Sequence, residues 1–204
     1  MTILDPVHAG YVHGRRVRVL VAHIAPLLPA DARVLDIGAG DGHVARAIMA
    51  LRPDVTIEGI DPLVRPGTEI PVTQFDGEHI PFGDTSFDAA LLVDVLHHAD
   101  DAEVLLREAR RVVRQAVIIK DHRRNGFMAQ TTLRFMDAVG NRRHGVALPY
   151  HYFSKKEWLA LFSKVGLEPE VEIGKLGLYP WPASWLFDRG LHFVARLGVR
   201  EPSA

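Results

Sequence analysis

The stretch "RVLDIGAGDGHVARAI", Arg33 to Ile48, decides how the rest of the chain is read. Val34-Leu35-Asp36-Ile37 is short, apolar and bounded, which predicts a buried strand. Gly38-Ala39-Gly40-Asp41-Gly42 predicts a tight turn. Val44, Ala45, Ile48 and Leu51 then share one helical face, and the helix is expected to stop before Pro53. A glycine turn between a strand and a helix usually holds a ligand.

Working outward, the same alternation recurs. Val55 to Asp61 predicts a second strand ending in an acid, and "PVTQF" a short third one. "FDAALLVDVL" predicts a fourth, too continuously apolar for a strand with one wet face and so central in a parallel sheet. Asp100 or Asp101 can cap the next helix, and "AVIIKD" predicts a fifth strand. A leading helix over residues 9–28 is expected to end at Pro29. Residues 127–139 read as a helix. "SKKEWLALFSKVG" reads as another, with an N-cap serine and a closing glycine. "EPEVEIGKL" and "GLHFVARLGV" predict two late strands. The expected fold is therefore α/β: a doubly wound, mostly parallel seven-stranded sheet with helices on both faces. One domain over 1–204 is expected, with an N-terminal helical segment (1–29), a cofactor-binding half (30–121) and an acceptor-side half (122–204).

Bulk properties exclude several classes. A net charge of -1 supplies no field to draw nucleic acid, so none is expected as a partner. The absence of cysteine removes disulfides, thiolate metal sites and cysteine nucleophiles. Residues 1–16 show no basic start followed by an apolar stretch, and no apolar run is long enough to span a bilayer. The expected compartment is the cytoplasm. Eleven histidines invite a metal reading, but no H-x-x-x-H or H-E-x-x-H spacing falls on a predicted helix. His97 and His98, read as extended, would point opposite ways. No metal is expected.

The loop itself narrows the ligand. A P-loop needs Gly-Lys-Ser/Thr, and no lysine lies near. A dinucleotide fingerprint needs a third glycine where His43 stands. Asp36 and Asp41 would repel a diphosphate. A positively charged ligand inverts that argument, and S-adenosylmethionine carries an ammonium and a sulfonium but no phosphate. Asp61 sits where an acid can accept both hydrogens of a ribose diol, a role that NAD enzymes share.

Here the chain resembles the class I S-adenosylmethionine-dependent methyltransferases that act on small molecules. "VLDIGAGDGHVA" is similar to their first motif and "GIDP" to their acidic strand end. "FDGEHIPFGDTSFDAALLVDVLHH" is similar to their D-x-x-x-x-P-F-x-x-x-S-F-D passage. The resemblance covers about residues 30–121. It implies that Gly38, Ala39, Gly40, Asp41 and Gly42 cradle the methionine part, with Asp36 at its ammonium. It places Asp61 and Pro62 at the ribose, and Asp76, Gly77 and Glu78 at the adenine. Asp94 and Val95 would line the cofactor below the sulfur. One passage departs from the family. Where a Leu-Lys-Pro-Gly-Gly turn is usual, this chain has "RRVVRQAVIIKD".

The acceptor side has no such motif. His98, Asp121 and His122, all at strand ends, are candidates for a general base. Asp121 could instead pair with Arg123 or Arg124 at the surface. Tyr150, His151 and Trp181 are candidate acceptor contacts within aromatic segments. These segments suggest a small apolar or amphiphilic acceptor with an oxygen nucleophile, a carbon or nitrogen one being the less favoured alternative. They also leave open peripheral membrane contact through residues 181–191. Two other readings stand beside this one: a cofactor-binding protein without catalysis, and an NAD-dependent oxidoreductase.

Overall fold

The computed structural model describes residues 4–126, 128–141 and 151–200. Its sheet is built from β1 (Arg33–Ile37), β2 (Thr56–Asp61), β3 (Val72–Gln74), β4 (Phe87–Val93), β5 (Val113–His122), β6 (Leu167–Ile173) and β7 (His192–Val199). The spatial order is β3-β2-β1-β4-β5-β7-β6. The first five strands run parallel, and β7 enters antiparallel between β5 and β6.

Helices α1 (Leu4–Ile24), α2 (His43–Leu51), α3 (Ala102–Val112), α4 (Ala129–Asn141), α5 (Lys155–Lys164) and the short α6 (Ala183–Phe187) complete the chain. Two apolar cores lie on opposite faces of the sheet. One packs Leu105, Leu106 and Ala109 of α3 and Trp158 and Phe162 of α5 against the strands. The other packs Leu20 and Ile24 of α1 and Ala45 and Ile48 of α2 against the opposite face. Alternate residues of β4 enter the two cores, Ala90 and Leu92 one, Ala89 and Leu91 the other. That double burial explains its unbroken apolar run.

Local signals set most boundaries. Asp101 caps α3, accepting from the amides of Glu103 and Val104. Ser154 and Glu157 form a capping box at α5. Three details differ from the sequence reading. The leading helix ends at Ile24, followed by a 3-10 turn over Ala25–Leu27, because Pro26 rather than Pro29 interrupts it. The unusual "RRVVRQ" passage contains no turn: α3 ends at Val112 and β5 starts at Val113. Residues 96–98 form a turn rather than an extended segment, so the argument that His97 and His98 must diverge does not hold. Among the described residues no helix is long and apolar enough to cross a membrane.

Gly59 of β2 shows how closely the glycine loop lies on the sheet. A Cβ added there would meet Ala39 Cβ at 2.6 Å and Ile70 Cδ1 at 3.2 Å. Ala39 cannot swing away without moving backbone. Gly59→Ala is therefore expected to lower stability by about 1–3 kcal/mol, measured as a reduced urea midpoint with an unchanged slope.

Candidate active site

The carboxyl ends of β1, β2, β3 and β4 bring the sequence-predicted residues to one edge of the sheet. The strand order reverses between β1 and β4, the place where open α/β sheets form a crevice. Gly38, Gly40 and Gly42 adopt φ of 73°, 60° and 79°. Side chains rarely tolerate such values. At Gly38 an added Cβ would also sit 2.5 Å from Val95 Cγ2, so Val95 walls the loop from β4. The loop is pinned from β2: Gly38 and Ala39 amides donate to Ile60 O at 2.8 and 3.1 Å. The Gly40 amide donates to Asp61 Oδ2 at 2.8 Å, and the Leu63 amide to Oδ1 at 2.8 Å. A carboxylate has about four acceptor positions, so Asp61 can accept further hydrogens.

Asp36 is 4% exposed. Burial pushes its pKa up to about 7, and the nearby carboxylates of Asp61 and Asp41 add to the rise. All three influences oppose its charge. Arg65 reaches Asp41 at 3.9 Å, a partly exposed contact of little strength. This is a cradle of backbone and carboxylates that fits a ligand bringing its own positive charge and disfavours a diphosphate.

At the outer end, Asp76 accepts the amides of Glu78 and His79 at 2.8 and 2.7 Å and the ring of His79 at 3.0 Å. These bonds lower its pKa to about 2 and give it a turn-forming role. Gly77 has φ 93°, and its added Cβ would lie 3.6 Å from Pro62 Cγ. The two loops that the sequence assigned to one ligand thus do adjoin.

Toward β5 the edge carries a buried polar cluster that sequence reasoning only partly found. Asp94 follows β4 with φ 59° and is paired with both Lys120 and Arg16 of α1. Lys120 is fully buried. Burial would raise the Asp94 pKa, but Lys120 and Arg16 hold it well below the usual range. Asp121 is also fully buried, with one oxygen on His97 Nδ1 at 2.7 Å and on the His122 amide at 2.6 Å, and the other on the Leu96 amide at 3.1 Å. Burial opposes its charge, yet His97 and His122 keep its pKa depressed. The expected surface pairing of Asp121 with Arg123 or Arg124 does not occur. The acid is sealed in the strand, where it fixes the turn after β4, and it cannot reach an acceptor itself.

His122 is 5% exposed, its Nδ1 3.6 Å from Asp94 Oδ1 and 3.4 Å from His97 Nδ1. His192 of β7 pairs in register with His122, their ring centroids 4.8 Å apart. Neither ring nitrogen of His192 has a hydrogen-bond partner among the described residues. Burial and then Lys120 lower the pKa of both imidazoles. His98 is half-buried on the turn, its ring 3.8 Å from that of His97. His151 is exposed, and its amide donates to His97 O at 3.1 Å. Tyr150 lies outside the described residues. Its neighbour Tyr152 is the aromatic that reaches the cluster, 6.0 Å from His97 and 6.1 Å from His122. Trp181, expected at the acceptor, is 86% exposed and closes nothing. Sequence reading missed Arg16, Lys120 and His192, and gave no specific role to His97 or Tyr152. A lysine and a histidine inside apolar strand patterns were the available signals.

Asp94, His97 and His122 place three metal-ligating atoms within 4.8 Å of one another. Lys120 and Arg16 already occupy Asp94, and a divalent ion there would face both cations. The cluster is better suited to handling a proton.

Comparisons with known proteins place this geometry. A family model described as "Methyltransferase domain" matches residues 9–171. The chain is 31% identical over 148 residues to the uncharacterized methyltransferase YcgJ of Bacillus subtilis (strain 168), covering 66% of this chain and 56% of that protein. It is 32% identical over 94 residues to the ubiquinone/menaquinone biosynthesis C-methyltransferase UbiE of Cupriavidus pinatubonensis, covering 40% of this chain and 39% of that one. The matches thus span about half or less of these curated relatives. In three dimensions the chain resembles the YcgJ crystal structure with TM-score 0.64 at 21% identity, covering 94% of this chain and all of that one. It also resembles a chain from the complex between the Haloferax volcanii Trm112 methyltransferase activator and a methyltransferase. There the TM-score is 0.69 at 16% identity, with 95% of each chain covered. At such identities these structures speak to the fold.

The raised pKa of Asp36 carries a stability consequence. Unfolded, the group ionises near its ordinary value; folded, it keeps its proton to about pH 7. Between the two the folded state binds the extra proton, so this residue's contribution falls as pH rises. Without ligand, Asp36→Asn is expected to be more stable than the parent at about pH 8, by up to about 4 kcal/mol, and equal to it at about pH 4. Urea unfolding at the two pH values measures the difference.

Proposed function

We propose, given that this chain belongs to the methyltransferase-domain family, that it transfers a methyl group from S-adenosylmethionine to an oxygen of a small apolar or amphiphilic molecule. The observation that carries this reading is the buried Asp36 carboxyl, set with Asp61 and Asp41 around three glycines of positive φ. When bound, S-adenosylmethionine supplies a methyl group already activated on a sulfonium. The chain's task is then approach geometry, exclusion of water and removal of one proton.

Asp36 supplies the counter-charge for the methionyl ammonium. Gly38, Gly40 and Gly42 let the backbone come close. Asp61, already oriented by two amides, accepts the ribose hydroxyls. Pro62 and Gly77 border the adenine, with Asp76 and Glu78 on the turn beside it. His122 and His192, kept neutral by burial beside Lys120, are the groups able to take the acceptor's proton. Asp121 acts through His97 and is a positioning residue. The lack of cysteine suits a reducing cytoplasm.

Calorimetric titration with S-adenosylmethionine tests the cofactor assignment. Below about pH 7 the ligand must displace the Asp36 proton, so affinity is expected to fall by up to about tenfold per pH unit. Asp36→Asn removes that slope. Asp61→Ala is expected to weaken binding at least about tenfold through loss of charge-assisted hydrogen bonds. A parent protein that bound NAD and not the sulfonium compound would end the proposal.

Turnover is tested with labelled donor against lipid and metabolite extracts. His122→Gln is expected to reduce transfer about 10²-fold while leaving cofactor affinity unchanged. Because burial lowers the His122 and His192 pKa values, the acidic limb of the parent's rate profile is expected below the ordinary histidine value. Tight cofactor binding with no transfer to any acceptor would identify a non-catalytic binding protein instead.

A further inference from the structure

The segment between β6 and β7 leaves the sheet at the site edge, because Ile173, Val194 and Lys120 share one register level. It is held firmly from below. Leu176 and Leu178 are each 5% exposed and join the core beneath α1. Asp188 accepts the amides of Leu178 and Tyr179 at 3.2 and 3.0 Å, and the Tyr179 and Phe187 rings lie 5.4 Å apart. Arg15 donates to Gly177 O at 3.1 Å. On this ordered base Trp181 and Trp185 stand 86% and 82% exposed, with Leu186 at 41%.

The patch continues onto α4. Arg189 donates to Thr132 at 3.0 Å; Thr132 and Phe135 lie three residues apart on α4, and Met128, just before the helix, accepts the Thr132 amide at 3.0 Å, with Phe135 and Met128 59% and 55% exposed. Two tryptophans of roughly 200 Å² each, so exposed, already bring the patch to the size of the largest apolar patch on a typical monomer.

The surroundings select what covers it. A cleft of about 700 Å³ at the base of this segment is lined by Arg123, Asn125, Lys175, Asp188 and Arg189 together with glycines. Arg123 is paired with Glu172 at 3.0 Å, and Asp188, bonded to two backbone amides, keeps its negative charge, so Lys175 and Arg189 leave the cleft with a small positive excess. Among the described residues no carboxylate lies within ion-pair distance of Lys175 or Arg189. Exposed tryptophans beside unneutralised cations and a cationic cleft match the boundary of a bilayer with anionic headgroups. Residues 174–190 carry Lys175, Arg189 and Asp188, a net +1 in a chain of net charge -1.

We propose that residues 174–190, with the outer stripe of α4, dock this protein on an anionic lipid surface. Trp181 and Trp185 enter the interface, and the Lys175–Arg189 cleft faces the headgroup phosphates. The docking does not rest on the methyl-transfer reading.

Flotation of the full chain with phosphatidylcholine vesicles, with and without phosphatidylglycerol, tests the proposal. The parent is expected to float with the mixed vesicles, with a blue shift of its tryptophan emission. The Trp181→Ala/Trp185→Ala double variant is expected to lose at least about tenfold in vesicle affinity. Its melting temperature should be unchanged, since both side chains face out. Lys175→Glu is expected to lose roughly fivefold or more on phosphatidylglycerol vesicles and little on the neutral ones. Absence of parent flotation on both vesicles overturns the proposal, as does equal flotation of the double variant. So does light scattering that shows a parent dimer dissolved by the double variant, which would make the patch a contact between copies. Calorimetry with S-adenosylmethionine on the same preparations reports separately on the cofactor site.

Discussion

A carboxyl group set inside a doubly covered strand is the constraint from which the rest of the site follows. Leu35 and Ile37 of β1 enter one core, Val34 the other, and Asp36 shares the Val34 side. Burying a charge there is costly, and Asp61 and Asp41 raise the cost rather than offset it. A fold keeps such a conflict where a ligand resolves it. The surrounding geometry is consistent with that purpose. Glycines of positive φ open the backbone beside the acid, and a bare Gly59 lets the loop lie flat on β2.

The two buried acids at the other end of the edge are treated differently. Asp94 has Lys120 and Arg16, and Asp121 has His97 and two backbone amides. Both carboxyls are held ionised by partners, whereas Asp36 is pushed toward neutrality by its neighbours. A balanced network positions; an unbalanced one binds. The Arg16–Asp94 pair also couples α1 to the end of β4, so the N-terminal helix and the wall of the crevice share one anchor. Lys120 has a second effect from the same spot: it keeps protons off His122 and His192.

The cofactor side was legible because backbone chemistry wrote it into residue types. Glycine is the residue best suited to the φ values at 38, 40 and 42, and an acid at a strand end is conspicuous against Val, Ile and Leu. All seven strands could be placed: double burial leaves apolar runs in the central ones, while the exposed β3 and β6 showed as short bounded segments. What escaped was tertiary in origin. Lys120 reads as the polar end of "AVIIK", and nothing local says that β7 will cover it. His192 and His122 are seventy residues apart and meet only because β7 inserts antiparallel beside β5. The turn at residues 96–98 hid in a segment read as extended, so the approach of His97 to Asp121 and His122 could not be anticipated. Arg111 of α3 pins the loop before β4 through Ile80 O, Phe82 O and Asp84, contacts no local pattern announces.

The late part of the chain carries the most exposed large side chains, Trp181 and Trp185. The family match ends at residue 171, and the segment that carries both tryptophans begins just beyond it. A loop that served only to close the core would turn its large side chains inward, as Leu176, Leu178 and Tyr179 do. Here the same loop spends buried leucines, a capped carboxylate and a ring contact on holding Trp181 and Trp185 outward in a fixed pose. Ordering a segment costs conformational entropy at every residue. Ordering it so as to expose its most apolar members is stable only because its base is packed, with Leu176 and Leu178 in the core and Asp188 closing the loop on the amides of Leu178 and Tyr179.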